Sequence, residues 1–98
     1  MNINLEKQND VLVVSLEGRL DTNTSPAFEE VINNINNETK ELIINIKALE
    51  YISSAGLRVL LAAQKKMNKM GSMKVINVCD SIMEIFEITG FIDILTIE

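Results

Sequence analysis

Two adjacent serines, Ser53 and Ser54, lie just before a helical apolar pattern in the segment Tyr51-Ile52-Ser53-Ser54-Ala55-Gly56-Leu57-Arg58. A hydroxyl at a helix start can do two kinds of chemistry. It can cap the helix by accepting a hydrogen bond from one of the first backbone N–H groups. It can also accept a phosphoryl group, because the unpaired N–H groups and the positive end of the helix dipole favour negative charge there by ~0.3–1 kcal/mol. A phosphate would add ~1.5–2 negative charges at one spot, and Arg58, one turn behind Ser54, could pair with it. The spacing alone leaves both readings open. Gly56 carries a similar choice between close packing against the sheet and a role in the site.

Other chemistry is sparse. The chain has no histidine, which removes the commonest general base, the Ser-His dyad and the usual transition-metal ligand. Its one cysteine, Cys79, has no partner for an internal disulfide and follows a strand-like run, so it is expected to be a packed residue. No Gly-rich phosphate loop is present, and no carboxylate pairs convincingly with Asp21. These observations argue against an enzyme, and no catalytic residue, metal or cofactor is expected.

The helix that carries the serines is predicted over residues 54–70, with Gly71 as its stop. Leu57, Val59, Leu60, Leu61, Ala63, Met67 and Met70 share one arc, with Gln64 near its edge. Ser54, Arg58, Lys65, Lys66 and Lys69 take the other. Ser54 is therefore predicted to be exposed. Before it, Leu42-Ile43-Ile44-Asn45-Ile46 reads as a strand covered on both faces, followed by a loop from Ala48 to Ser53.

Strands are predicted near 2–7 and 11–17 around an Asn9-Asp10 hairpin turn, with Gly18 and Asp21 marking a loop. Ser25 is expected to cap a first helix with Pro26 at its first position, and Phe28, Val31, Ile32 and Ile35 form its apolar stripe. A fourth strand is expected over Met73–Val78. A short helix capped by Asp80 and ended by Thr89-Gly90 follows, then a last strand over Ile92 and Ile94–Ile97. The predicted order is β-β-α-β-α-β-α-β, an α/β fold with a mixed, mostly parallel sheet, an antiparallel N-terminal strand and three helices.

The 98 residues are 47% hydrophobic and 23% charged, which suits one globular domain spanning residues 1–98. A net charge of −5 argues against nucleic acid, whose binding needs a basic surface. No apolar run approaches the roughly 18 residues a membrane span requires, and the N-terminus lacks a basic leader and an apolar core. A cytoplasmic location is expected.

Four segments in order resemble the STAS domain of anti-sigma factor antagonists. Gly18-Arg19-Leu20-Asp21 is similar to the family's Gly-x-Leu-Asp. Leu42–Ile46 resembles its strand with Asp or Asn at the fourth position, here Asn45. Ile52-Ser53-Ser54-Ala55-Gly56-Leu57 resembles Asp-Ser-Ser/Thr-Gly-Leu, and Ile88-Thr89-Gly90-Phe91 resembles a late Thr-Gly-Leu turn. The resemblance implies that Ser54 is phosphorylated by an anti-sigma factor that is also a serine kinase, with ATP on that partner. The unphosphorylated chain would bind the kinase and free a sigma factor, and a serine phosphatase would restore it. Ser53 stands where the family has Asp, and Ala55 where it has Ser or Thr. Asp21 and Asn45 are implied near Ser54 as ordering residues, with Gly56 and Arg58 completing the surface. The alternative is a STAS module that docks, unphosphorylated, in a transport or sensory complex.

Overall fold

The computed structural model describes residues 1–98. β1 (Asn2–Gln8) and β2 (Val11–Leu20) form an antiparallel hairpin. Its two-residue turn places Asn9 at φ 57°, a left-handed conformation that asparagine tolerates better than most residues. α1 (Ser25–Asn33), β3 (Glu41–Ile52), α2 (Ser54–Met70), β4 (Ser72–Ile76) and α3 (Asp80–Thr89) follow, and a 3-10 turn occupies Phe91–Asp93.

The sheet runs β1-β2-β3-β4, with β2, β3 and β4 parallel. Strands laid down in sequence order with right-handed crossovers put every crossover helix on one face, and α1 and α2 pack against each other there. The sheet is therefore buried on one side only. Along β3, Leu42, Ile44 and Ile46 are buried while Ile43 and Asn45 are half-exposed, so the expected double-sided cover of this strand is corrected. The core gathers Val14, Leu16 and Leu20 of β2, Phe28 and Ile32 of α1, Leu60 and Met67 of α2, and Ile82 and Phe86 of α3.

Several boundaries differ from the sequence expectations for local reasons. β3 continues through Ala48–Ile52, where a loop was expected, because it keeps pairing with β2 through two register shifts, at Ser15/Glu17 and Gly18/Arg19. Gly18 lies inside β2 at the second shift with φ 101°, a bulge conformation suited to glycine. Thr24, not Ser25, is the N-cap of α1, with Ser25 and Pro26 in its first turn, and Cys79, not Asp80, caps α3. β4 ends at Ile76 because Asn77 turns to φ 60°. Cys79 consequently falls in the connection and is exposed rather than packed.

The C-terminal segment approaches the edge of β4 without forming a full strand. It makes a single parallel bridge, Val75–Ile97, with Val75 N–H donating to the Thr96 carbonyl at 2.8 Å. Leu95 is buried while Ile92 and Ile94 face outward, and the Thr96 N–H reaches the buried Gln64 side chain at 3.4 Å. The 3-10 turn uses up the residues that would have lengthened the strand.

Candidate functional site at the start of the second helix

The end of β3 delivers the chain directly into α2. Ser53 is extended (φ −98°, ψ 175°) and is the N-cap. Its Oγ accepts from the Gly56 N–H at 3.4 Å and its carbonyl accepts the first helical bond from Leu57 N–H at 3.0 Å. The capping hydroxyl is thus Ser53, and Ser54, the first helical residue, is exposed. The two chemistries open at the sequence level fall on different serines.

Gly56 fixes how deeply this helix start sits. A Cβ there would lie 2.7 Å from Leu20 Cγ and 3.0 Å from Ile52 Cγ1. The first approach is closer than real Cβ atoms make and the second tighter than most, so the helix rests on two buried side chains at the ends of β2 and β3. The close approach is to side chains, not to a neighbouring backbone. Ala55 is half-buried beside it, and Arg58 is exposed one turn on.

Asp21 organises the neighbouring loop. Its Oδ1 accepts from the backbone N–H of Asn23 at 3.0 Å and of Thr24 at 3.1 Å, and from the Thr24 hydroxyl at 3.2 Å. The Asp21 N–H donates to Thr24 Oγ1 at 2.9 Å, and the Ser25 hydroxyl donates to the Asp21 carbonyl at 2.6 Å. Desolvation pushes the Asp21 pKa up, but these hydrogen bonds, aided by the Arg19 charge, outweigh it and hold the carboxyl below the ordinary aspartate value. Asp21 makes no hydrogen bond to Ser53 or Ser54. Its bonds shape the loop that leads into α1.

Asn45 is engaged elsewhere. Its Oδ1 accepts from the Lys47 N–H at 3.1 Å and from Asn77 Nδ2 at 3.0 Å. These bonds tie β3 to the connection after β4 and do not reach α2. The structure therefore brings Ser53, Ser54, Ala55, Gly56 and Arg58 together, sets Asp21 beside them, and leaves Asn45 outside.

Thr22, Ser25, Pro26 and Glu29 from the α1 side face Ala55, Arg58 and Val59 of α2 across a shallow cleft of about 200 Å³. Next to the helix start, the Arg19 guanidinium lies 4.2 Å over the Tyr51 ring and 3.9 Å from the Asp21 carboxylate. This pair was not legible in the sequence. It depends on Arg19 and Tyr51 being cross-strand partners, and only the continuation of β3 past Ala48 makes them so. No cluster of three or more metal-ligating side chains forms, and no helix is long and apolar enough to cross a membrane.

The chain matches the STAS domain model over residues 2–98. It is 33% identical over 100 residues to the anti-sigma-B factor antagonist of Bacillus subtilis (strain 168), covering 99% of this chain and 92% of that protein. The crystal structure of an anti-sigma factor antagonist from Mycobacterium paratuberculosis superposes with a TM-score of 0.88 at 27% identity, over 98% of this chain and 83% of that one. The Bacillus cell fate determinant SpoIIAA in its phosphorylated form shares the fold, with a TM-score of 0.78 at 18% identity over 99% of this chain and 91% of that one.

Proposed function

Since this chain belongs to the STAS domain family and, within it, to the anti-sigma factor antagonists, we propose that it binds an anti-sigma factor through the start of α2 and that phosphorylation of Ser54 turns that binding off. The partner is read as a serine kinase as well as an anti-sigma factor. Its unphosphorylated antagonist releases a sigma factor, and a serine phosphatase resets the switch. All of this takes place in the cytoplasm.

One observation carries the reading: Ser54 is exposed at the first position of α2, while the neighbouring Ser53 already caps the helix. The Ser54 hydroxyl is free to be modified without removing a bond that holds the fold. The kinase would supply ATP. Its γ-phosphoryl group moves to Ser54 Oγ as the bond to ADP breaks, and a base on the kinase takes the hydroxyl proton. The chain itself acts as the substrate, not the catalyst, and needs no cofactor.

The energetics suit a switch. A phosphate at the helix start is tolerated by the unpaired N–H groups around it. Buried against a partner with nothing to match it, the same charge costs several kcal/mol. A loss of ~3 kcal/mol weakens binding more than a hundredfold. The related Bacillus protein known in a phosphorylated form supports the same use of this fold.

The test is to incubate the purified chain with the anti-sigma factor kinase of its own organism and ATP, then locate the added phosphate by mass spectrometry. One phosphate on Ser54, lost in Ser54→Ala, is expected. An active kinase that leaves the chain unmodified would overturn the switch and favour constitutive docking, a reading that Ser53 in the family's Asp position already invites.

A further inference from the structure

We propose that Arg58 is the residue that captures a phosphate on Ser54, pinning the added charge along α2. The inference rests on Ser54 being the modified residue and deepens that reading by naming how the modified state is held.

The geometry selects Arg58 from the cations on and beside α2. Ser54 and Arg58 are four residues apart on one helix and both are exposed. Side chains at this spacing are neighbours, and an anion one turn N-terminal to a cation is the favourable order. Arg58 is also unengaged. The four ion pairs of the structure are Lys7–Glu38, Arg19–Asp21, Lys74–Glu41 and Lys74–Glu98, and none uses it.

The other cations of α2, and Arg19 beside its start, are committed or distant. Arg19 is held by the Tyr51 ring and the Asp21 carboxylate. Lys66 donates from Nζ to the Ile32 carbonyl at 2.9 Å and to that of Asn33 at 3.4 Å, closing the C-terminal end of α1. Lys65 and Lys69 stand 11 and 15 residues beyond Ser54 on the same helix, roughly 16 and 22 Å along its axis. Arg58 is displaced by only about 6 Å. α2 contains no acidic residue, so no carboxylate on the helix competes for its guanidinium.

The carboxylates nearby belong to other elements. Glu29 of α1 lines the cleft opposite Arg58 without pairing to it, and Asp21 lies in the loop before α1. Both repel a phosphate and raise its second ionisation. Arg58 lowers it, by forming charge-assisted hydrogen bonds preferentially to the dianion. Comparing the wild-type chain with an Arg58 variant cancels the Glu29 and Asp21 contributions and isolates the guanidinium. Capture would also keep the helix start intact while withdrawing the Arg58 guanidinium from any partner.

The experiment installs phosphoserine at position 54 by genetic recoding, so no kinase is needed, and follows the phosphate by phosphorus-31 NMR from acid to neutral pH. The second pKa of a phosphoserine is about 6. It should lie about 0.15–0.4 unit lower in the wild-type background than in Arg58→Gln, with Arg58→Lys between them and Lys65→Gln unchanged from wild type. Coincident curves for wild type and Arg58→Gln overturn the proposal, and so does an equal shift in Lys65→Gln, which would mark a diffuse charge effect. A chain that the kinase assay shows never to be phosphorylated still gives a readable titration here, so the two readings fail separately.

Discussion

The backbone N–H of Ser53 donates to the carbonyl of Leu20 at 2.9 Å. This bond is the last rung between β2 and β3, and it leaves the chain at the point where α2 begins. It joins the Gly-Arg-Leu-Asp segment to the serine pair, two stretches more than thirty residues apart in sequence. The position of Ser54 is therefore set by the sheet, and changes at the strand ends are felt at that residue.

Gly56 is where that linkage is tightest. Gly56→Ala gains helix propensity, worth about 1 kcal/mol at an open site. Here the new methyl meets Leu20 at 2.7 Å and Ile52 at 3.0 Å, both buried and branched. The expected net effect is a loss of about 1–3 kcal/mol, read as a lower midpoint in urea unfolding. Trimming Leu20 in the same chain should recover part of it as a coupling energy. An alanine variant as stable as wild type would mean that the helix start does not rest on those side chains.

Ser53→Ala removes the cap and leaves the Gly56 N–H without its acceptor, so about 1 kcal/mol of stability should be lost. Ser53→Asp restores an acceptor and the negative charge found at this position in the family. It should be as stable as wild type to within ~0.5 kcal/mol. Thermal or denaturant melts of the two variants decide the matter: a Ser53→Ala chain as stable as wild type would show that the 3.4 Å bond contributes nothing.

Much of this site was legible from the residues, because a serine before an apolar period is a strong local signal for a helix start, and 54–70 matches α2 at both ends. What escaped depends on register. Leu49 and Ile52 turn inward while Glu50 and Tyr51 face out, a spacing of three that simple alternation does not fit, so 48–52 resembled a loop. The Arg19–Tyr51 pair escaped with it. The partners of Asn45 escaped by the same limitation. Its side chain answers to Asn77, 32 residues away, and no local pattern reports that. At the C-terminus, Ile94–Ile97 has strand composition, yet the Phe91–Asp93 turn and the demand of the buried Gln64 for partners reduce it to one bridge.

Asp21 gives the chain a pH-dependent element. Its pKa is held below the ordinary 3.8 by hydrogen bonds that only the folded loop supplies. A carboxyl depressed in the folded state contributes stability above its unfolded pKa, and that contribution is lost as pH falls through the folded value. Asp21→Asn keeps an acceptor for Thr24 but removes the charge. The wild type should melt higher than this variant at neutral pH, and the gap should close below about pH 4. A gap that stayed constant into acid would assign the effect to shape rather than charge.

Ser54 is the residue on which stability and binding should separate. It is exposed, and the cap belongs to its neighbour, so Ser54→Ala and Ser54→Asp should each unfold within ~0.5 kcal/mol of wild type. Their binding should diverge. Ser54→Ala presents the unmodified surface permanently and should hold the anti-sigma factor even when kinase and ATP are present. Ser54→Asp places a charge on the proposed contact surface and should bind more than tenfold more weakly, a difference of at least ~1.4 kcal/mol. Calorimetric titration of each variant into the purified anti-sigma factor measures this directly. If Ser54→Asp bound as tightly as wild type while remaining folded, the helix start would not be the surface the partner covers.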